Sequence, residues 1–382
     1  MKKRFSVFLL FLNLIATSHL VYAVDMMIVP AAPKIKASSY LVMDFDSGEL
    51  LVKENVDQKL PPASLTKIMT VYVVASELAN GKISLEDEVL VSEKAWRTEG
   101  SRMFIEVNET VKLNDLLMGV IVQSGNDASV ALAEYISGTE GVFADLMNKH
   151  AERLGMKNTN FMNSTGLPHP DHYTTAGDLA ILARAYINDY PEVYKLNSVK
   201  EYTYNKIKQH NRNKLLWRDR SVDGIKTGHT EEAGYCLVAS AEREGMRLIS
   251  VVMGTEGTNA RAKASQALLN YGYRFYETHK LYSSGDLITS VKVWKADKET
   301  INLGLDQDIY ITVPRGQYEK LEPIVEINEQ IIAPINMGEQ KGMLNIMLED
   351  KKLITVPLLA LETVSEGSLV NRLKDKVYLL FE

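Results

Sequence analysis

The chain has 382 residues, 46% of them hydrophobic and 24% charged, a balance that excludes a disordered protein and leaves room for two domains with real cores. The formal charge of −6 argues against a nucleic-acid partner, because phosphate contact needs clustered Lys and Arg. Cys236 is the only cysteine, which excludes an intrachain disulfide.

Residues 1–23 read as a secretory signal peptide. Lys2, Lys3 and Arg4 form a positive start, and Phe5 to Ile15 is an apolar run too short to span a bilayer. Val21-Tyr22-Ala23 has the form of a cleavage site; the alternative is an uncleaved anchor. Loss of those three basic residues would take the formal charge from −6 to −9.

Tyr40–Phe45 and Leu50–Lys53 flank a turn of Asp, Ser and Gly and predict a β-hairpin. Pro62 suits a first helical turn, and Leu65, Ile68, Met69, Tyr72 and Ala75 follow at the spacing of a buried helix. Leu113–Val122 and Asp127–Ile136 predict two helices broken at QSGND, with Gly138 as the stop. Thr175 and Asp178 read as a capping box for a helix through Leu179 to Ile187. From Gly224 the period becomes that of strands: GIKTGHT, YCLVASAERE and MRLISVVMGT, the last two joined at Gly245. Cys236 falls in that apolar alternation as a core residue. A helix over Arg261–Phe275 closes an α+β first domain, residues 24–277, with helices packed on an antiparallel sheet. LITSVKVWKA, IYITVPRG, EPIVEINEQ, GMLNIMLED and KKLITVPLLALE then predict a small all-β module, residues 278–364. In residues 365–382, Leu369, Leu373, Val377 and Leu380 recur at helical spacing among Arg372, Lys374 and Lys376. Such a helix suits a membrane interface; the alternative is a helix docked on its own β module.

Three short motifs carry chemistry. In Ser64-Leu65-Thr66-Lys67 the hydroxyl and the amine share one helix face, so the amine can serve as the base that activates the serine. It can do so only if burial or a nearby cation lowers its pKa. Ser124-Gly125-Asn126 sits at the break between two helices: the serine can relay a proton and the amide can hold a substrate carbonyl. A plain turn is the alternative there. Lys226-Thr227-Gly228 offers a second cation, a hydroxyl for a carboxylate, and a glycine past which a substrate backbone could approach; an exposed strand edge is the alternative.

In this order, with separations of 60 and 102 residues, the motifs resemble those of the penicillin-binding-protein and serine β-lactamase superfamily. PPASLTKIMT, QSGNDASVALAE, GMKNTNF, DGIKTGHT, YGYRFYET and VPLLALE resemble the low-molecular-mass D-alanyl-D-alanine carboxypeptidases, serine peptidase family S11, over nearly the whole mature chain. The resemblance implies the transpeptidase-like fold of that superfamily, with the β module and terminal helix that set this subgroup apart from β-lactamases. It implies Ser64 as the acyl-forming nucleophile, Lys67 as its base, and Ser124 with Lys226 as a proton path to the leaving amine. Asn126 would hold the substrate amide, and the N–H groups of Ser64 and His229 would form the oxyanion hole. Thr227 and Arg261 would grip the terminal carboxylate, with Gly228 beside them. Peptidoglycan stem peptides would be the substrate, β-lactams covalent inhibitors, and the terminal helix a tie to the membrane surface. No cofactor is implied, and the expected location is the periplasmic face of the inner membrane. The rival readings are an endopeptidase or transpeptidase using the same site, and a non-catalytic wall scaffold.

Other residues are read more simply. His169, Asp171 and His172 in HPDH are loop residues rather than a metal site. Glu231 and Glu232 form a solvated turn. No Glu-x-x-Leu-Asn segment lies between the second and third motifs, so fast antibiotic hydrolysis is not expected.

Overall fold

The computed structural model describes residues 29–327 and 330–379. The expected signal peptide and Leu380 lie outside the described residues.

An antiparallel sheet of five strands organises the first domain. Its order is Leu50–Glu54, Ser39–Asp44, Met246–Thr255, Gly234–Arg243 and Val222–Thr230. Side chains of Ser39–Asp44 alternate between two cores, because successive residues of a strand point to opposite faces. Leu41 and Met43 join Ile249 and Val251 under Met69, Tyr72 and Leu182 of the helical layer. Tyr40 and Val42 join Leu248 and Val252 against Leu268 and Leu269 of the helix Thr258–Phe275. Both faces are covered, so all six residues of the strand are buried, and Tyr40–Met43 form a continuous apolar run between Ser39 and Asp44. Each fully buried aliphatic side chain there contributes about 1.5–3 kcal/mol.

The helix Lys67–Ala79 runs through the centre of the helical layer, with its first eleven residues buried. The break at QSGND is present but graded. The helix Leu113–Met118 widens into a π turn, Gly119–Gln123, and the chain restarts as the helix Asn126–Ser137. At Thr175 only half of the capping box forms. Its Oγ1 accepts the Asp178 N–H at 3.0 Å, but the Asp178 carboxylate turns away to Asn158 N, 2.9 Å, and Thr159 Oγ1, 2.6 Å. It therefore ties the helix Ala176–Asp189 to a neighbouring loop. The helix Glu140–Leu154 and the hairpin Glu201–Tyr204 with Ile207–His210 have no counterpart in the sequence reading.

The strand Tyr276–Tyr282 follows the helix Thr258–Phe275 directly and pairs with Ile309–Pro314, so the expected boundary at 277/278 falls inside a strand. A second sheet of five strands, in the order Leu287–Lys292, Thr300–Gly304, Lys351–Ala360, Gln340–Leu348 and Leu321–Glu326, completes an all-β domain with its own core around Ile301, Leu303, Ile335, Leu344 and Leu358. Thr278 Oγ1 donates to Asp44 Oδ2 at 2.7 Å, and Ser47 Oγ lies 2.6 Å from Thr312 Oγ1, which joins the two domains.

The terminal helix Leu369–Tyr378 is capped by Ser368 Oγ, which accepts the Asn371 N–H. Its polar side rests on the β module, where the Asp375 carboxylate accepts the Lys295 N–H at 2.5 Å. Leu369, Val370, Leu373 and Val377 are each more than half exposed. Among the described residues, no helix is long and apolar enough to cross a membrane.

Candidate active site

Ser64 lies in a 3-10 turn, Ala63–Thr66, that leads into the helix Lys67–Ala79. Ser124 ends the π turn in the left-handed region, φ +65°, a conformation that costs a non-glycine residue energy and aims its side chain out of the helix. Asn126 opens the next helix. Lys226, Thr227 and Gly228 lie on the outer strand Val222–Thr230 of the sheet. The loop Glu99–Ile105 is held against these elements by Asp127, whose carboxylate accepts Met103 N and Phe104 N, both at 2.9 Å.

These elements meet in a cavity of about 170 Å³ lined by Ser64, Ser124, Asn126, Thr227, Gly228, His229, Arg212 and Arg261, with Gly166 and Leu167 on one wall. A larger groove of about 540 Å³ lies between the two domains and contains none of the motif residues.

Lys67 is fully buried behind Ser64. Its Nζ lies 3.3 Å from Ser64 Oγ, 2.7 Å from Asn126 Oδ1 and 2.5 Å from the Thr165 carbonyl oxygen. Burial, and then the Arg212 guanidinium, pull its pKa down to about 7, while Asp127 and Glu140 pull the other way. Lys226 Nζ donates to Ser124 Oγ at 2.8 Å and to the Thr227 carbonyl at 3.1 Å. Burial first, then Lys67, Arg212 and Arg261, hold its pKa well below the usual lysine range. Arg261 Nη1 donates to the carbonyls of Gly228 and Cys236, at 2.8 and 3.3 Å, over the ring of Tyr235. His229 stacks on the same ring, centroids 3.9 Å apart. Two guanidiniums, Arg212 and Arg261, thus line the cavity in front of two lysines that burial disposes to lose their protons, while the nearby carboxylates serve other partners. Asp127 is bound to backbone N–H groups, and Glu140 to Lys94 and Ser164. Such a cavity suits an anionic ligand.

Two of the expected site residues also have structural roles. Gly228 lines the cavity, and its missing Cβ makes room for the nucleophile's own turn. A Cβ there would stand 3.0 Å from the Pro62 carbonyl and 3.3 Å from the Ala63 Cβ. The Asn126 amide, expected to hold the substrate, already accepts from Lys67 and donates from Nδ2 to the Glu99 carbonyl at 2.6 Å. It retains capacity for one further bond on each atom.

Arg212, on the segment between the Ile207–His210 strand and the site, is a cavity residue that sequence reasoning missed. HNRNK has no periodicity or motif to single it out. The three residues of HPDH do not converge. His172 is buried with Nε2 3.0 Å from Thr66 Oγ1, and burial pushes its pKa down to about 4, whereas His169 is exposed beside Asp171. Among the described residues, no group of His, Cys, Asp and Glu has the arrangement of a metal site. Cys236 is buried, and burial raises its thiol pKa to about 11, which leaves it an inert core residue.

The architecture is that of the penicillin-binding proteins, a mixed helix-and-sheet domain followed by an all-β domain. Residues 26–257 match the family model described as D-alanyl-D-alanine carboxypeptidase, and residues 276–366 match that of the penicillin-binding protein 5 C-terminal domain. The chain belongs to the D-alanyl-D-alanine carboxypeptidase family. It is 43% identical over 358 residues to D-alanyl-D-alanine carboxypeptidase DacC of Escherichia coli, covering 92% of this chain and 90% of that protein. The crystal structure of penicillin-binding protein 5 from Haemophilus influenzae superposes with a TM-score of 0.87 at 43% identity, covering 88% of this chain and all of that one. Penicillin-binding protein D2 of Listeria monocytogenes, in its ampicillin-bound form, gives a TM-score of 0.59 at 31% identity, over 64% of this chain and all of that one.

Proposed function

We propose that this protein is a serine-type D-alanyl-D-alanine carboxypeptidase that removes the terminal D-alanine from peptidoglycan stem pentapeptides, and that β-lactams acylate the same serine. Family membership and the ampicillin-bound relative support the activity and the inhibitor class. The observation that carries the serine mechanism is the environment of Lys67 Nζ. A neutral amine has two N–H donors and one lone pair. Asn126 Oδ1 and the Thr165 carbonyl can only accept, so they take both donors, and the lone pair is left facing the Ser64 hydroxyl. Lys67 then takes the proton as Ser64 Oγ attacks the penultimate carbonyl. The developing oxyanion would lie between the N–H groups of Ser64 and His229, an arrangement worth about 3–4 kcal/mol per donor in related acyl transfers. Ser124, bonded to Lys226, is placed to pass a proton to the departing amine. Thr227, Arg261 and Arg212 supply the hydroxyl and cations for the terminal carboxylate. Water then cleaves the ester and restores the serine.

Intact mass after penicillin exposure, with the adduct mapped by digestion, is expected to place one acyl group on Ser64. Ser64→Ala is expected to lose all labelling; labelling that survives would refute the nucleophile. Assays on defined muropeptides of different donor length are expected to favour the pentapeptide over crosslinked dimers, which separates this activity from an endopeptidase.

We also propose that the protein sits at the periplasmic face of the inner membrane through its terminal helix. The open apolar row of Leu369, Val370, Leu373 and Val377, flanked by Arg372, Lys374 and Lys376, supports this reading. Deleting residues 366–382 is expected to release the protein from membranes and leave soluble activity within about twofold, since the described segment is held to the β module through Lys295, away from the catalytic cavity. An unchanged membrane fraction after that deletion would rule the helix out as the tie.

A further inference from the structure

We infer that Glu140 is a positioning residue for the catalytic lysine, acting through Ser164 and the Thr165 carbonyl. The inference rests on the role of Lys67 proposed above.

Glu140 is the first residue of the helix Glu140–Leu154, where an acid is favoured by the helix dipole. An acid serving only the dipole needs no buried partner. This carboxylate instead turns inward: Oε1 accepts Ser164 N at 3.1 Å and Ser164 Oγ at 2.8 Å, while Oε2 pairs with Lys94 at 2.9 Å. From that anchor two successive carbonyls point at the central helix. The Ser164 carbonyl accepts Thr70 Oγ1 at 2.7 Å, and the Thr165 carbonyl accepts Lys67 Nζ at 2.5 Å. Asn163 Oδ1 closes the segment by accepting Thr165 N and Gly166 N, at 3.2 and 2.7 Å.

Ser164 and Thr165 are almost wholly buried. Losing Glu140 would leave the Ser164 N–H and hydroxyl without a partner away from water, and the segment would move to find one. The Thr165 carbonyl would move with it. That carbonyl takes one of the two N–H groups of neutral Lys67, so its displacement lets the amine rotate its lone pair away from Ser64. A misplacement of about 1 Å can cost about 100-fold in rate.

Acylation by a fluorescent penicillin, followed over time on the purified full-length protein, separates the noncovalent Kd from the acylation rate constant. Glu140→Ala is expected to lower the rate constant about 100-fold with Kd changed by less than about threefold. Glu140→Gln keeps an acceptor for Ser164 and is expected to stay within about tenfold of the wild type. Both variants are expected to shift the acid limb of the pH profile to lower pH, because a negative charge facing Lys67 is gone. Arg212, Asp127, Lys226 and His172, which also face it, remain. A wild-type rate constant in Glu140→Ala overturns the inference, as does Glu140→Gln being as slow as Glu140→Ala. Should Glu140→Ala fail to fold, Ser164→Ala removes only the hydroxyl bond; a drop of about tenfold at unchanged Kd supports the inference, and no drop overturns it. Adduct mapping on the wild type keeps the two failures apart. An adduct away from Ser64 defeats the role of Lys67, whereas an adduct on Ser64 with unaffected variants defeats only the role of Glu140.

Discussion

Replacing Lys67 by methionine is expected to lower the acylation rate by about 10²–10⁴-fold, the usual contribution of a general base, while penicillin still binds noncovalently. Methionine is an unbranched side chain of similar length that fits a buried site but cannot take a proton. Lys67→Arg is the sharper test. It keeps a cation, yet a guanidinium does not lose its proton in a protein, so it is expected to be as slow as methionine. A simple electrostatic role for Lys67 would instead spare the arginine variant.

The same residue sets the sign of the pH dependence. Burial, with Arg212 second, holds Lys67 at a pKa of about 7, down from 10.5. The active form is the neutral amine, so kcat/KM is expected to rise as pH increases through about 7. Stability follows by linkage. The folded pKa lies below the unfolded one, so between about pH 7 and 10.5 the unfolded chain binds a proton that the folded chain does not. Wild-type stability is therefore expected to climb with pH across that window relative to Lys67→Met, and to run parallel to it below pH 7. A wild-type activity profile flat from pH 5 to 9 would remove Lys67 as the base.

The central strands were legible because both their faces are covered: YLVM and YCLVA are runs of apolar residues bounded by turn signals. The Ile207–His210 hairpin was not legible because it lies at the surface. Its strands EYTY and IKQH bury fully only the polar Gln209, with Tyr202 and Tyr204 half-buried against the core. The helix Glu140–Leu154 buries only Phe143, Ala144, Met147 and Ala151, a narrow stripe among charged residues. The site divides the same way. Ser64, Lys67, Ser124 and Lys226 belong to short local patterns, and the fold brings them together. The Thr165 carbonyl has no sequence signature at all, since every residue has a carbonyl. Its importance comes from where Glu140 and Asn163 pin it, and that is settled only by tertiary packing.

Gly166→Ala is expected to be among the most damaging single-methyl additions to this chain, destabilising it by more than about 3 kcal/mol or abolishing acylation in whatever folds. Gly166 has φ +83°, which L side chains rarely adopt. A Cβ there would lie 1.8 Å from the Ala63 carbonyl oxygen, 2.3 Å from its carbon and 2.9 Å from Thr66 Oγ1. The first two are backbone atoms and cannot swing aside like a flexible side chain. Ala63 is itself left-handed, φ +47°, and directly precedes Ser64. The turn that presents the nucleophile therefore packs backbone to backbone against the segment whose Thr165 carbonyl holds the base, and one added methyl separates the two. Gly141→Ala is the control. It lies in a helix with nothing within 4 Å of the added carbon, and is expected to be neutral or to stabilise by up to about 1 kcal/mol. Denaturant midpoints and penicillin acylation rates on both variants test the pair. If Gly166→Ala matches the wild type in both measurements, the close packing of these two segments does not set the geometry of the site.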